Sequence, residues 1–90
     1  MYRVKLTPTA HKMYNTLHPT IKTQIKTEIK NLYKNPYLGK RLQDELYCLR
    51  SLKIKRYRAI YQVNCESHEV IILAIGHRRD IYEIIIANRQ

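Results

Sequence analysis

The sequence has no tryptophan and no phenylalanine, and it has no long hydrophobic run. Its longest uninterrupted apolar stretch, Val70 to Ile75, is far shorter than the ~20 residues that a membrane-spanning helix needs. Near the N-terminus, Arg3 and Lys5 are followed by Thr-Pro-Thr instead of the apolar stretch of a secretory signal. These absences exclude a membrane-spanning helix and predict a soluble, cytoplasmic protein.

Cysteine is also scarce, and the pattern of cysteines and histidines predicts no metal site. The two cysteines are Cys48 and Cys65, and in a chain of this size they indicate free thiols in a reducing compartment. There is no Cys-x-x-Cys pair, and the four histidines lack the spacing of metal ligands. We therefore expect a protein that works without a metal or another cofactor.

Acidic residues are few compared with basic ones. The chain has 7 aspartates and glutamates against 17 lysines and arginines, which gives a formal net charge of +10 at pH 7. The excess lies in residues 1–58, which hold 14 of the basic residues and three acidic ones, whereas residues 59–90 hold three basic and four acidic residues. This charge predicts a polyanionic partner.

The first part of the chain predicts one strand and two helices. Residues 2–7 alternate between apolar and polar side chains, as a half-buried strand does. Thr7 and Pro8 then suit a helix N-cap and the first helical position. Two stretches with the apolar spacing of amphipathic helices follow, separated at Pro19 and ending before Pro36. We expect these helices to pack as a hairpin over a sheet.

The second part of the chain predicts that sheet. Residues 37–45 are polar and fit a connection. Strand patterns cover residues 51–55, 57–63 and 70–75, and the second and third of these strands are joined by a hairpin turn at residues 64–68. In the remaining element, residues 80–88, the apolar run fits either a short helix or an edge strand.

The expected fold class is α+β, in one domain that spans residues 1–90. A chain of this length can bury one core but not two, and its aliphatic residues and eight tyrosines support such a core. The predicted order is β-α-α-β-β-β followed by a C-terminal element. It places a helical hairpin on a mostly antiparallel sheet.

The positive charge falls into two clusters. On the second predicted helix a lysine recurs at every fourth position and forms a column: Lys22, Lys26, Lys30 and Lys34. This lysine column is either an ordinary solvated face or a surface that an anion neutralises, since like charges four residues apart repel each other. The second cluster combines strand residues with residues that follow the last strand: Lys53, Lys55, Arg56, Arg58, Arg78 and Arg79. Its cations alternate with tyrosines, a combination that suits RNA phosphates and unpaired bases.

Two motifs resemble the RelE/ParE superfamily of toxins from bacterial toxin–antitoxin pairs. They are Leu-Lys-Ile-Lys-Arg-Tyr-Arg-Ala-Ile-Tyr at residues 52–61 and Ile-Gly-His-Arg-Arg-Asp-Ile-Tyr at residues 75–82. Gly-Lys-Arg-Leu at residues 39–42 and the strand–helix–helix start extend the likeness over nearly the whole chain. The resemblance implies a small antiparallel sheet backed by a helical hairpin, and we complete that fold with a short C-terminal helix.

The resemblance implies one of two toxic activities. RelE-like members cut messenger RNA in the ribosomal A site, whereas ParE-like members poison DNA gyrase and lack the catalytic residues. We favour the RelE-like activity, with ribosomal RNA and messenger RNA as partners and inhibition of translation as the result. A ParE-like gyrase poison and a catalytically inactive nucleic-acid-binding relic are the alternatives.

In the RelE-like branch, the resemblance implies a metal-independent endoribonuclease site. In its reaction the 2′-OH of one nucleotide attacks its own 3′ phosphate, which needs a base, an acid and cations. Arg58 and Arg78 match residues that hold the phosphate. Tyr82, Lys53 and His77 are the candidates for the proton transfers.

The sequence departs from the RelE-like pattern where a second strand lysine is expected. That position falls near Ser51, with Arg50 beside it, so the general base stays unassigned. The other basic residues of both clusters are expected to bind RNA or the ribosome: Lys22, Lys26, Lys30, Lys34, Lys55, Arg56 and Arg79. We also expect a cognate antitoxin, an amphipathic segment of which would cover the basic groove and the apolar residues 84–86.

Overall fold

A five-stranded sheet forms the centre of the computed structural model, which describes residues 1–42 and 48–88. The strands are β1 (Arg3–Leu6), β2 (Lys40–Arg41), β3 (Arg50–Ile54), β4 (Tyr57–Asn64) and β5 (Glu69–His77). They lie in the order β1-β5-β4-β3-β2, and all neighbours are antiparallel except β1 and β5, which are parallel. The predicted α+β fold with a mostly antiparallel sheet is confirmed.

Three α-helices cover the sheet. They are α1 (Pro8–Asn15), α2 (Pro19–Lys30), which continues into a 3-10 turn at Asn31–Tyr33, and α3 (Ile81–Asn88). None of the helices in the described residues reaches the length and hydropathy that a membrane span requires. Residues 80–88, whose apolar run fits either a short helix or an edge strand, form mainly a helix.

Local residue choices explain where the first two helices begin. The Thr7 hydroxyl accepts a hydrogen bond from the Ala10 N–H at 3.1 Å, as an N-cap does, and proline follows it at the first helical position. The His18 Nδ1 accepts from the Thr20 N–H at 3.2 Å at the start of α2. Both helix starts are those that the prolines predict.

The sheet buries side chains on both faces. The helical hairpin covers one face, whose buried side chains from α2 and the central strands include Ile25, Ile29, Leu52, Ala59, Tyr61 and Ile72. α3 covers the other face, where Ile81 and Ile85 pack with Leu49, Ile60 and Ala74. We call these the hairpin face and the α3 face.

A bulge in β5 shifts the alternation of its side chains by one residue. Tyr61 lies opposite Ile72 whereas Ile60 lies opposite Ala74, so Leu73 is an extra residue in β5. As a result Ile72 belongs to the hairpin face and Ala74 to the α3 face. Thr7 provides hydrogen-bond partners for the carbonyls at this bulge. Its N–H donates to the Ile72 carbonyl at 3.0 Å, and its hydroxyl donates to the Leu73 carbonyl at 3.2 Å.

The connection predicted at residues 37–45 contains a strand in its described part. β2 pairs Lys40 with Ser51 and Arg41 with Arg50 at the edge of the sheet. Two polar residues show no alternation of apolar and polar side chains, so their pattern predicts no strand. Residues 43–45 of that prediction lie outside the described residues.

A buried hydroxyl positions the chain between α2 and β2. The Tyr61 Oη accepts a hydrogen bond from the Gly39 N–H at 2.8 Å and donates one to the Pro36 carbonyl at 2.7 Å. Burial raises the pKa of Tyr61 above its usual value. A Cβ on Gly39 would lie 2.6 Å from the Tyr61 Oη, so this approach requires glycine.

Changing either residue of the Tyr61–Gly39 contact should destabilise the fold. Tyr61→Phe leaves the Gly39 N–H and the Pro36 carbonyl without their partner, and we expect a loss of about 1–3 kcal/mol in urea unfolding. Gly39→Ala should cost a similar amount, about 1–3 kcal/mol, through overpacking. Tyr33→Phe, which alters an exposed tyrosine, is the control. A Tyr61→Phe midpoint equal to that of the wild type would contradict this assignment.

The parallel β1–β5 pair should make stability depend on pH through Glu69. Lys5 Nζ lies 2.6 Å from Glu69 Oε2 and Arg3 Nη2 lies 3.6 Å from it, and the Lys5 contact is the main cause that lowers the pKa of Glu69 below its usual 4.5. A lowered carboxylate pKa stabilises the fold above the unfolded-state pKa, and this contribution disappears as the pH falls through the folded-state pKa.

We therefore expect Glu69→Gln to lower the urea midpoint slightly at pH 7, because both cations are mostly exposed and the pairs are weak. The difference from the wild type should vanish in acid below pH 4.5. Glu66→Gln in the neighbouring turn is the control. A midpoint difference that persists unchanged at acid pH would count against the ion pairs.

Candidate active site

Two cations lie directly opposite each other on the α3 face. In the β3–β4 register Lys53 pairs with Arg58, and Ser51 pairs with Ile60. Since side chains two residues apart on a strand share a face, Lys53 and Arg58 lie on the face to which Ile60 belongs. Lys53 is exposed and Arg58 is half-buried. The register alone thus brings two predicted site residues together.

This cation pair has an electrostatic cost. Like charges directly opposite each other on antiparallel strands are destabilising. Within residues 1–42 and 48–88 the ion pairs join Glu69 to Arg3 and Lys5, and none of them involves Lys53 or Arg58. An anion that binds between the two side chains would relieve the repulsion, so the arrangement suits a phosphate.

The Tyr82 hydroxyl lies close to this pair. It donates a hydrogen bond to the Ser51 Oγ at 3.4 Å, and Ser51 is buried. Ser51 is two residues from Lys53 on the same face of β3, so the phenol lies beside the cations. In the sequence Ser51 stands out only as a departure from the expected lysine, and no local pattern reveals that it is the partner of Tyr82.

Gly76 lets α3 approach the sheet at this point. It lies opposite Arg58 in the β4–β5 register. A Cβ there would lie 3.2 Å from Met13 Cε and 3.3 Å from Ile81 Cδ1, so a larger residue would press on both. The absence of a side chain at Gly76 therefore allows the first turn of α3, which carries Tyr82, to lie near Arg58.

The remaining cations of the second cluster meet at one end of the sheet. Lys55 and Arg56 form the two-residue turn between β3 and β4, with Lys55 at φ 56°. The Arg78 N–H donates to the Arg56 carbonyl at 3.0 Å, which joins this turn to the end of β5. Together with Arg79, these residues are exposed. Because β4 separates β3 from β5, the cluster lies at the strand ends and not along a sheet edge.

The structure does not bring His77 to the α3 face. It lies opposite Tyr57 in the β4–β5 register, one residue along from Gly76, and successive strand residues face opposite ways. The rings of His77 and Tyr57 lie edge to face with centroids 5.9 Å apart. The His77 Nδ1 accepts a hydrogen bond from the Arg79 N–H at 3.3 Å. Its observed contacts are therefore with the turn and the hairpin face.

The lysine column borders a groove away from the cation pair. The Lys22 ammonium lies 5.7 Å from the centroid of the Tyr14 ring, and Lys34 follows the 3-10 turn. Lys26 and Lys30 line a groove of about 290 Å³ between α1, α2 and β1. The groove is otherwise mainly apolar, with Val4, Leu6, His11, Tyr14, Asn15, Ile29 and Tyr33 in its walls.

The opposite flank of α2 faces Lys53. A second cleft of about 320 Å³ is lined there by Thr23, Gln24, Thr27, Glu28, Lys53, Ile54 and Lys55. Since one flank of α2 faces the groove and the other faces this cleft, the helix separates most of the lysine column from the candidate catalytic residues. The two basic clusters form two surfaces.

The cysteines lie apart from these residues. Cys48 and Cys65 are exposed thiols that line one small cleft. The Tyr37 hydroxyl and the Cys65 Sγ share a hydrogen bond of 2.8 Å, which raises the pKa of Tyr37. Among the described residues no group of three or more histidine, cysteine, aspartate and glutamate side chains is arranged to hold a metal ion.

Comparison with known proteins identifies related toxins. Residues 4–82 match the family of ParE toxins of the type II toxin–antitoxin system parDE. Toxin RelG of Mycobacterium tuberculosis is 34% identical over 83 residues, which cover 90% of this chain and 95% of that toxin.

Solved structures show the same fold. The toxin–antitoxin complex RelBE2 from Mycobacterium tuberculosis aligns with a TM-score of 0.79 and 32% identity, over 86% of this chain and 98% of that one. The isolated E. coli RelE toxin aligns with a TM-score of 0.76 and 20% identity over 100% of both chains. The second likeness is one of fold alone.

Proposed function

The chain belongs to the RelE/ParE superfamily of toxins from type II toxin–antitoxin systems, and on that premise we propose that it is an endoribonuclease that cleaves messenger RNA on the ribosome and stops translation. The observation that carries this proposal is the Lys53–Arg58 pair, which lies beside the Tyr82 hydroxyl on the α3 face. Cleavage by 2′-OH attack needs proton-transfer groups and cations at one point, and a phenol beside two opposed cations can supply both.

The proposed reaction uses the RNA's own 2′-OH as the nucleophile. A bond forms between the 2′-oxygen and the 3′ phosphorus, and the bond from phosphorus to the 5′-oxygen breaks. The 2′ proton goes to a base, and an acid protonates the leaving oxygen, which leaves a 2′,3′-cyclic phosphate and a 5′-hydroxyl. Arg58 and Lys53 stabilise the charge on the phosphorane.

Tyr82 is the residue that we place at the proton transfers. Its hydroxyl is held over β3 by Ser51 and by the packing of α3, so it is positioned before substrate binds. Lys53, which shares a face of β3 with Ser51, is the candidate for the second transfer. Arg78, which lies at the end of the sheet, contacts a neighbouring phosphate of the RNA strand. We assign His77 no proton transfer, because it lies on the opposite face.

Docking on ribosomal RNA and messenger RNA involves the exposed cations outside this centre. The turn and strand-end residues Lys55, Arg56 and Arg79 are near enough to the active site to contact the same RNA strand. The lysine column contacts a separate stretch of polyanion, because it lies on the other flank of α2. Binding through phosphate contacts of this kind weakens as salt increases.

The alternative is a ParE-like poison of DNA gyrase. It is supported by one observation, the match of residues 4–82 to the ParE toxin family. On this alternative the Lys53–Arg58 pair would have no catalytic role, and toxicity would not depend on the Tyr82 hydroxyl.

Induced expression of variants separates the two activities. Tyr82→Phe and Arg58→Ala should each reduce messenger RNA cleavage by about 10²–10⁴-fold, as loss of a positioned proton-transfer or charge-stabilising group does. Mapping of RNA 5′ ends measures the cleavage, and growth measures toxicity. Tyr37→Phe, which alters an exposed tyrosine that contacts Cys65, is the matched tyrosine control. If both variants stay fully toxic while DNA breaks accumulate and messenger RNA remains intact, the chain is a gyrase poison.

An antitoxin is the proposed protein partner, since similar solved structures include toxin–antitoxin complexes. Residues 84–86 offer less apolar surface for the expected antitoxin contact than the sequence suggests. Ile85 is buried against the sheet, and of these three residues Ile86 is the exposed one. The groove between α1, α2 and β1 offers a better surface, with apolar walls and two lysines at its rim. It fits an amphipathic segment that carries carboxylates.

Charge reversal tests this docking surface. We expect Lys26→Glu combined with Lys30→Glu to weaken binding of the neighbour-encoded antitoxin by about tenfold or more in calorimetry, since opposite charges would then repel. Lys40→Glu combined with Arg79→Glu reverses two exposed charges that do not line the groove, and it is the matched control. Equal losses for both variants would show a non-specific charge effect and would exclude the groove as the site.

A further inference from the structure

The cleft between α2 and β3 is a polar recess next to the cation pair. Its volume of about 320 Å³ is at the lower end of the range for small-ligand pockets. Lys53 belongs both to this cleft and to the pair with Arg58. Lys53 thus connects the cation pair on the α3 face with a cleft that α2 borders from the hairpin face.

The sheet edge contributes to this cleft. β2 pairs with Arg50 and Ser51, so the described sheet has its edge at residues 52–54 of β3. Edge strands carry backbone N–H and C=O groups that face outward. The recess therefore combines side chains from α2 with an extended backbone, as sites for single-stranded RNA do.

Gln24 and Glu28 are the groups that can recognise a base. They are half-buried and lie four residues apart, which places them as neighbours on one face of α2. The Thr23 and Thr27 hydroxyls beside them donate to helix carbonyls, at 3.1 Å and 2.9 Å, so their hydrogens are already engaged. The remaining donor and acceptor pair is the Gln24 amide and the Glu28 carboxylate.

Glu28 is unusual in its surroundings. It is the single acidic residue in residues 1–42. It lines the cleft together with Lys53 and Lys55, yet within the described part of the chain it forms no ion pair with either. On the proposed RNA-binding surface this carboxylate would repel phosphates, but it could accept hydrogen bonds from a base.

Resting on the nuclease function above, we propose that this cleft binds a guanine base of the RNA strand next to the scissile phosphate. The Glu28 carboxylate accepts hydrogen bonds from guanine N1–H and the N2 amino group, and the Gln24 amide donates one to guanine O6. Lys55 contacts the phosphate of the same nucleotide. Guanine fits because its Watson–Crick edge presents one acceptor followed by two donors.

Other bases satisfy these groups less well. Adenine and cytosine offer one amino group to the carboxylate, and uracil offers one imino N–H. Each of them leaves a carboxylate oxygen without its hydrogen bond in a partly desolvated recess, which costs affinity. Discrimination is therefore expected to depend on Glu28 more than on any lysine.

The test compares RNAs that differ by one amino group. The full chain with Tyr82→Phe, which slows cleavage, is titrated with short oligouridine that contains one guanine or one inosine, and fluorescence anisotropy gives the Kd. Inosine lacks the N2 amino group, so it should bind about tenfold more weakly. With Glu28→Gln added, guanine and inosine should bind equally. Glu66→Gln, an exposed carboxylate in the β4–β5 turn, should keep the discrimination.

A second variant protects the test against a folding defect. Gln24→Ala should weaken binding of the guanine RNA about threefold or more by loss of the O6 contact and leave binding of plain oligouridine unchanged. If Glu28→Gln and Gln24→Ala both keep the parent's guanine preference, the cleft is not the base subsite.

Cleavage mapping separates this inference from the nuclease proposal. Cleavage that prefers guanine in the wild type and loses that preference in Glu28→Gln supports both. Cleavage with a base preference that Glu28→Gln does not change overturns the subsite and keeps the nuclease. Guanine-selective binding without any messenger RNA cleavage keeps the subsite and overturns the nuclease.

Discussion

The pairing of β4 with β5 is the constraint on which the rest of the structure depends. It joins eight residue pairs at the centre of the sheet, and one extra residue, Leu73, divides it into two registers. On one side of the bulge β5 supplies Ile72 to the hairpin face, and on the other it supplies Ala74 to the α3 face. Thr7 both starts α1 and binds the carbonyls at the bulge. The helical hairpin is therefore tied to the point where the side-chain alternation of β5 shifts by one residue.

The same pairing assembles the candidate site. It sets Arg58 opposite Gly76, where a missing side chain lets the first turn of α3 come close. The β3–β4 hairpin then sets Lys53 opposite Arg58, and α3 brings Tyr82 to Ser51. The sheet holds like charges together against their repulsion, and the burial of apolar side chains on both faces offsets that cost.

α2 divides the basic surface into parts with different chemistry. One flank borders an apolar groove with lysines at its rim, which suits a protein segment. The other flank borders a polar recess that is continuous with Lys53, which suits RNA. A net charge of +10 attracts any polyanion. In our proposals, the apolar or polar lining beside each group of cations determines which partner each surface binds.

The sequence by itself determined the fold class and most of the elements, and it pointed to Lys53, Arg58 and Tyr82 as candidate site residues. Thr7-Pro8 and Pro19 mark helix starts because capping and proline geometry are local, and residues 57–63 and 70–75 are strands because β-branched runs are local too. Tertiary structure decided three things that local patterns cannot contain. It paired Lys40–Arg41 as an edge strand, and it made Ser51 the partner of Tyr82. It also set His77 apart from Tyr82, although the two residues belong to one motif. The physical reason is that the face of a strand residue depends on register and bulges, which are set by contacts between distant segments.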